Sequence, residues 1–470
     1  MTASTAFLPG RRAFLRQGAF SLAPLALASL NHGVSASSGA MAPRSPMANG
    51  RAKAVIHLFM SGAPSQLDLF DYKPELARLQ GKPLPPSVIG NQRYAFIRPE
   101  AGVLGPQFRF SKHGQSGAEI SEVFPYLSQV ADKLCIIRSM KTEQFNHAPA
   151  QMLMQTGFSQ PGRPSIGSWA LYGLGAEASD LPAYMVLSTG AGISGGAGLW
   201  SNGFMPGVYG GTRLRNQGDP ILHLSNPPGI DRAAQRAALD LAEGLTRPIL
   251  TAQADPETST RLAAAEMAFR LQASAPELFD VSTESEATLK RYGCDPKKPS
   301  FARACLLARR MVERGVRFVT LFHEGWDAHS DVAGNLRNNA RVTDQASAAL
   351  VADLASRGML DETLVAWGGE FGRTPMVETN PTLGRSQGRD HHPQAFTMWM
   401  AGGGIRPGVT IGRTDDLGFH VVERPVEVYD LQATILNQLG LDHTRLTFHH
   451  AGRDFRLTDV HGNVIREALA

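Results

Sequence analysis

Cysteine is scarce in this chain, and the three cysteines, at positions 135, 294 and 305, include no Cys-x-x-Cys pair. This pattern gives no support to a disulfide framework or to a cysteine-ligated zinc site. The chain also has little excess charge of either sign, since 46 Lys and Arg residues nearly balance 42 Asp and Glu residues and leave a formal net charge of +4. Three of the arginines lie in residues 1–36, which contain no acid, so the rest of the chain carries +4 − 3 = +1. The charge therefore argues against a nucleic-acid partner.

Long hydrophobic runs are missing as well. The apolar run at residues 19–30 is shorter than the roughly 20 residues that a spanning helix needs, and no later segment approaches a membrane span. This run follows Arg11, Arg12 and Arg16 and precedes small residues that end in Val34-Ser35-Ala36. The order of basic, apolar and small segments predicts a cleaved signal peptide at 1–36, of the twin-arginine type. A short uncut membrane anchor is the alternative.

Such a leader predicts export through the twin-arginine machinery to the periplasm or the cell exterior. Proteins that use this route cross the membrane already folded, which suits a protein that acquires a metal before export. Residues 37–50 are small, polar and proline-containing, and we expect them to form a linker.

The remaining residues, 51–470, alternate short apolar runs with helical patterns. Apolar runs at 54–60, 134–137, 183–189, 316–322, 363–367 and 396–401 predict buried strands. The clearest helix places apolar residues at 342, 346, 349, 350 and 354 and stops at Gly358. This alternation predicts one α/β domain in which helices sandwich a mixed, mostly parallel sheet. A Gly-x-Gly-x-x-Gly match at 190–195 leads into further glycine-rich loop rather than a helix, so we do not expect a dinucleotide site.

Polar clusters lie beside three of the predicted strands. Asp327 and His329 follow the strand at 316–322, and Glu370 follows the strand at 363–367. We expect a glycine-containing loop after Glu370, which brings Asp390-His391-His392 to the start of the strand at 396–401. Carboxyl ends of parallel strands meet at one edge of a sheet, which is where α/β proteins place their sites. Mixed imidazole and carboxylate groups favour a transition metal, Zn²⁺ or Mn²⁺ rather than Ca²⁺.

Each cluster also has a structural interpretation. Asp327 could cap a helix, either histidine of the His391-His392 pair could lie in a surface loop, and Glu370 could pair with Arg373. The sequence alone does not choose between His391 and His392.

The chain resembles the DUF1501 family, a group of exported bacterial proteins of undefined activity in the alkaline phosphatase/sulfatase superfamily. The resemblance covers nearly all of the chain after the leader and is carried by residues 58–65, 146–149, 325–329, 367–375, 388–393 and 452–462. It implies an alkaline-phosphatase-like sheet, with Glu370 in the position of an acidic metal ligand. It also implies that Asp327 with His329, and His391 or His392, correspond to the metal-binding residues of phosphatases.

Two departures from the superfamily pattern concern the chemistry. The metal-binding aspartate expected directly after the first strand is replaced by Ser61-Gly62, and Asp68 follows seven residues later. The sulfatase Cys/Ser-x-Pro-x-Arg motif is also missing, and the resemblance puts His147 in the position of its nucleophile. A formylglycine sulfatase is therefore not expected.

His147 could act as a covalent nucleophile, a general base or a metal ligand, or it could be structural. Arg138, Arg373 and Arg389 are candidate clamps for a tetrahedral anion, because a planar guanidinium matches phosphate or sulfate oxygens. A surface position is the alternative for each arginine.

Two functions follow as hypotheses. The first is an exported metal-dependent hydrolase of phosphate or sulfate esters, acting on a small molecule or a glycan. The second is a catalytically degenerate relative that binds a sulfated or phosphorylated glycan, or a protein partner, without turnover. The missing aspartate and nucleophile favour the second hypothesis, and the dense histidine and carboxylate clusters favour the first.

Overall fold

The structure is a computed structural model, and it describes residues 41–90, 94–190, 192–215, 221, 226, 229–253 and 256–470. The predicted signal peptide at 1–36 lies outside the described residues, as does the start of the predicted linker. None of the helices in these ranges combines the length and the apolar character needed to cross a bilayer.

The described residues contain strands that we number in chain order. They are β1 (Ala54–Ser61), β2 (Phe110–His113), β3 (Ala118–Ser121), β4 (Cys135–Lys141), β5 (Tyr184–Thr189), β6 (Thr212–Arg213), β7 (Phe318–Glu324), β8 (Thr363–Gly368), β9 (Gly372–Asn380), β10 (Arg385–His392), β11 (Phe396–Ala401), β12 (Val409–Ile411), β13 (Arg413–Thr414), β14 (Val421–Glu423), β15 (Val426–Glu427), β16 (Phe448–His450) and β17 (Arg453–Phe455).

The α-helices of the same ranges are numbered likewise. They are α1 (Gln66–Leu69), α2 (Pro74–Arg78), α3 (Pro86–Ile89), α4 (His147–Thr156), α5 (Ile166–Leu174), α6 (Arg232–Gln253), α7 (Pro256–Phe279), α8 (Glu286–Tyr292), α9 (Phe301–Glu313), α10 (Val332–Ser356) and α11 (Val428–Gln438).

A nine-stranded sheet forms the centre of the described fold, in the order β12-β4-β11-β8-β1-β7-β5-β6, with β15 also pairing with β4. Strand β11 runs antiparallel to both of its neighbours, and the other pairs in this sheet are parallel. The predicted α/β class with a mixed, mostly parallel sheet is therefore confirmed.

Both faces of the sheet are covered, as the apolar strand sequences require. Successive side chains of a strand point to opposite faces. Ile56, Leu58 and Met60 of β1 therefore pack into one apolar layer with residues of α9 and α10, and Val55 and Phe59 pack into the other with residues of α5 and α11.

The β9–β10 hairpin differs from the expectation of a glycine-containing loop between the strands now numbered β8 and β11. Residues 372–392 form two antiparallel strands joined by a short turn, with register shifts on either side of Gly388 and Arg389. Pro375, Pro381 and Gly384 gave this segment the appearance of a loop. Irregular pairing tolerates such residues, so the periodicity of a regular strand was not visible in the sequence.

Candidate metal centre

Four side chains from three parts of the chain come together at the carboxyl edge of the sheet: His147, Asp327, His329 and His391. Asp327 and His329 follow β7, His147 is the first residue of α4, and His391 lies in β10. We call these four side chains the histidine–aspartate cluster.

Close packing of two loops holds Asp327 in place. Gly62, directly after β1, has a φ of +108°, and a Cβ atom there would lie 2.4 Å from the backbone nitrogen of Asp327. Only glycine fits such a contact at positive φ. The Ser61-Gly62 departure noted in the sequence therefore places backbone, rather than a carboxylate, beside the cluster.

The cluster is organised around one carboxylate oxygen. Asp327 Oδ1 lies 3.2 Å from His147 Nε2, 3.0 Å from His329 Nε2 and 3.5 Å from His391 Nε2. The Nε2 atoms of His329 and His391 are themselves 3.0 Å apart. All three imidazoles thus direct the same ring nitrogen at one point.

The opposite nitrogen of each ring contacts an acceptor. His147 Nδ1 lies 2.7 Å from Glu370 Oε1, His329 Nδ1 lies 2.5 Å from Glu378 Oε2, and His391 Nδ1 lies 2.7 Å from the carbonyl oxygen of Phe145. In a neutral imidazole, as metal binding requires, an acceptor at Nδ1 favours the tautomer that carries its proton there, which leaves the Nε2 lone pair facing the centre. Proteins commonly orient metal-binding histidines in this way.

Glu370 is fully buried and does not face the centre directly. Besides His147, its Oε1 accepts hydrogen bonds from Gln151 Nε2 at 3.0 Å and from the backbone of Gly62 at 3.1 Å. Gln151 in turn accepts a hydrogen bond from the backbone of Gly195 in the glycine-rich loop after β5. Glu370 therefore links three segments to the ring of His147.

The charges and the burial of the cluster shift the pKa values of its members in different directions. Burial would lower the pKa of His147, but the neighbouring carboxylates of Asp327 and Glu370 outweigh burial and raise that pKa to about 9. Burial would raise the pKa of the Asp327 carboxyl, but the close contacts with the three imidazoles and with the guanidinium of Arg373 hold that pKa far below its ordinary value. Burial lowers the pKa of His391 to about 4.

The donor set fits a divalent transition metal. Three imidazole nitrogens and one carboxylate oxygen are ligands that Zn²⁺ takes at about 2.0–2.1 Å in tetrahedral geometry, for which neighbouring ligand atoms lie about 3.3 Å apart. The separations of 3.0–3.5 Å around Asp327 and between His329 and His391 are close to that value. Two Nε2 lone pairs at 3.0 Å repel each other unless a proton or a cation lies between them.

His329, Glu378 and Asp390 form a second buried group with spacing suited to a metal. Glu378 is already engaged by His329 Nδ1 and by Arg385 at 2.8 Å. Asp390 accepts backbone hydrogen bonds from Phe96, Ile97 and His391. These contacts make the second group a support for the histidine–aspartate cluster.

Arg373 is the candidate clamp that contacts the cluster. Its Nη2 lies 2.6 Å from Asp327 Oδ1, and its other nitrogens donate to backbone carbonyls, including those of Ala63 and Arg389. The side chain is fully buried. Arg373 thus anchors Asp327.

The remaining predicted residues lie outside the cluster. His392 Nε2 is 2.6 Å from the carbonyl oxygen of Phe419, and Arg138 contacts Glu119 at 3.4 Å. Asp68 and Arg389 form a fully buried ion pair at 2.8 Å. The structure therefore places His391 in the histidine–aspartate cluster and His392 outside it. The sequence alone did not distinguish these two histidines.

Sequence reasoning did not identify Glu378, Gln151 or Phe96 as part of this region. Phe96 packs its ring edge-on to His329, with centroids 4.8 Å apart. Glu378 lies in the segment interpreted as a loop, and Gln151 lies in a helix. Gln151 lies four residues after His147 in α4, a spacing that puts both side chains on one face of the helix, whereas no regular spacing connects Glu378 to the histidines.

The sequence matches the family described as "Protein of unknown function (DUF1501)" over residues 52–469. No curated relative matches the chain. Solved structures similar to it are distant in sequence. The lipoteichoic acid synthase LtaP from Listeria monocytogenes is 10% identical, with a TM-score of 0.34 over 93% of this chain and 80% of that one.

Two further similar structures are also distant. The PsFucS1 sulfatase from Pseudoalteromonas sp. is 12% identical, with a TM-score of 0.35 over 83% of this chain and 68% of that one. A protein in the alkaline phosphatase superfamily from Vibrio parahaemolyticus is 10% identical, with a TM-score of 0.33 over 92% and 74%.

Proposed function

This chain belongs to the DUF1501 family, and we propose that it is a metal-dependent hydrolase of phosphate or sulfate esters. In this proposal His147, Asp327, His329 and His391 hold one divalent cation, Zn²⁺ or Mn²⁺. The observation that carries it is the convergence of three Nε2 atoms on Asp327 Oδ1 while each Nδ1 contacts its own acceptor. A cation bound there supplies Lewis acidity toward an ester oxygen.

We assign His147 as a ligand rather than a covalent nucleophile. Both of its ring nitrogens are directed at carboxylates, Nδ1 at Glu370 and Nε2 at Asp327, so neither is aimed at open solvent. Glu370 holds the ring, and Arg373 holds Asp327. The side chain of Asp327 is 43% exposed, which leaves the centre accessible from that side for a water molecule and an ester.

The experiment is a hydrolysis assay on zinc- or manganese-loaded protein with p-nitrophenyl phosphate and p-nitrophenyl sulfate, beside an Asp327→Asn variant. The proposal expects turnover of one ester by the wild type. It also expects a loss of about a hundredfold or more in the variant, because the variant removes a charged ligand. Turnover that survives metal removal contradicts the proposal.

A second function has one specific observation in its favour. Arg138, Arg373 and Arg389, the three candidate anion clamps, each contact a carboxylate of the protein itself. A protein that holds the cation but hydrolyses neither ester would fit the second hypothesis, a non-catalytic binder of sulfated or phosphorylated glycans or of a protein partner. The same assay separates the two.

We also propose that the protein is exported through the twin-arginine pathway with its cation already bound. The support is the order of Arg11-Arg12, the apolar run and the small residues in the sequence. An Arg11→Lys/Arg12→Lys variant should accumulate in the cytoplasm with residues 1–36 uncleaved. Normal export of that variant would contradict the route.

A further inference from the structure

The side of the histidine–aspartate cluster that faces away from the core is bordered by an exposed aromatic ring. Phe96 lies edge-on to His329, with ring centroids 4.8 Å apart, and edge-on to His391, with centroids 5.9 Å apart. Its side chain is nevertheless 42% exposed. Ligand sites commonly place aromatic side chains beside a few polar groups, and Phe96 stands in that relation to His329 and His391.

A second ring, that of Phe371, shares only His391 with Phe96 and is buried. The centroid of Phe371 lies 4.7 Å from that of His391 and 5.0 Å from that of His147, and Phe371 is only 1% exposed. Packing against the imidazoles therefore does not itself require an exposed ring. Phe371 is therefore part of the core, whereas Phe96 presents its ring to solvent beside His329 and His391.

The position of Phe96 is fixed by buried groups. Asp390, which is fully buried, accepts hydrogen bonds from the backbone nitrogens of Phe96 at 2.8 Å and Ile97 at 3.2 Å. Arg385 places its guanidinium carbon 4.4 Å from the Phe96 ring centroid while it pairs with Glu378. Glu378 is the residue that contacts His329. The ring is thus held by the same contacts that support the imidazoles.

We infer that Phe96 forms an apolar wall of the substrate site and selects esters whose organic group, aryl or alkyl, is apolar next to the anionic group. This inference rests on the proposed function, since it concerns the ligand of the same centre. In this inference, an anion at the cluster directs its substituent towards the exposed ring of Phe96. An apolar substituent there covers part of the exposed ring, and covering about 50–60 Å² of apolar surface corresponds to about a tenfold gain in affinity.

The test is calorimetric titration of the zinc-loaded protein with two pairs of anions: phenylphosphonate against methylphosphonate, and benzenesulfonate against methanesulfonate. The wild type should bind the phenyl member of at least one pair about tenfold more tightly than the methyl member. Phe96→Ala should reduce that ratio to near one while retaining zinc. Phe96→Leu, which keeps an apolar side chain, should retain most of it.

Phe158→Ala is the matched control. Phe158 is similarly exposed at 36% and lies beyond the far end of α4, about 15 Å along the helix from His147. The control should leave the ratio unchanged. A ratio near one in the wild type, an unchanged ratio in Phe96→Ala, or no binding of either pair overturns the inference.

This outcome is separable from that of the proposed function. Absence of bound metal, or absence of ester hydrolysis, counts against the hydrolase. If the protein binds zinc and prefers phenyl ligands through Phe96 but hydrolyses no ester, the result supports the role of Phe96 and contradicts the proposed hydrolase activity.

Discussion

The Nε2 atoms of His329 and His391 lie 3.0 Å apart, while the Nδ1 atoms of the same rings contact Glu378 and the carbonyl oxygen of Phe145. If both rings carry their proton at Nδ1, two lone pairs face each other across this gap. A proton on one ring removes the repulsion, and so does a cation between the rings, which uses both lone pairs as ligands. This pair of contacts is the strongest physical reason to expect a metal in this protein.

Glu370→Gln should weaken metal binding without unfolding the protein. Glu370 contacts His147 rather than the centre itself, and removing the charge of such a supporting carboxylate typically costs about 10–100-fold in metal affinity. Competition with a chromogenic chelator measures the loss. Glu119→Gln serves as the control, since Glu119 contacts Arg138 outside the cluster. Equal affinities for the two variants would contradict the role given to Glu370.

The choice between His391 and His392 shows where sequence reasoning stops. Adjacent residues of a strand point to opposite faces, so only one of the two can face the cluster. Which one does so depends on how β10 pairs with β9, and that pairing shifts register between Arg389 and His391. A local irregularity of this kind leaves no periodic signal in the sequence.

The strands of the central sheet were easier to predict than the supporting contacts. Buried strands such as β1 and β7 consist of apolar runs long enough to be seen directly, and the residues at their ends fall at one edge by topology. Glu378 and Phe96 reach the cluster from a hairpin and a loop. Their roles depend on tertiary packing between distant segments, which spacing along the chain does not encode.

Asp68→Ala should destabilise the fold strongly. Asp68 and Arg389 are both fully buried and paired at 2.8 Å, and removing one partner of a buried pair leaves an uncompensated charge that costs about 3–5 kcal/mol. Urea unfolding measures the free energy of unfolding. Glu122→Ala breaks the exposed pair with Arg109 and should cost at most about 1 kcal/mol. Similar losses in both variants would contradict this account.

His57 should make stability depend on pH. Burial lowers the pKa of His57 to about 4, whereas in the unfolded chain its pKa is about 6.5. Between pH 6.5 and pH 4, His57 is protonated in the unfolded chain but not in the folded protein. The free energy of unfolding is therefore highest above pH 6.5 and decreases as the pH falls toward 4. The loss approaches about 3 kcal/mol.

His57→Leu should flatten this dependence. Urea unfolding of metal-free wild type and variant between pH 7.5 and 4.5 isolates the contribution of His57, because the other histidines are common to both proteins. As the pH falls, the free energy of unfolding should decrease more in the wild type than in the variant, so the variant should become relatively more stable. A difference that is constant across this range would show that His57 is not the titrating group.

The most direct test of the metal centre compares two neighbouring histidines. Wild type, His391→Ala and His392→Ala are reconstituted with Zn²⁺ or Mn²⁺, freed of excess metal and analysed for bound metal, with circular dichroism to establish that each is folded. The account predicts about one equivalent in the wild type and in His392→Ala, and a large loss in His391→Ala, since only His391 supplies a ligand. No metal in folded wild type, or full retention in His391→Ala, would contradict it.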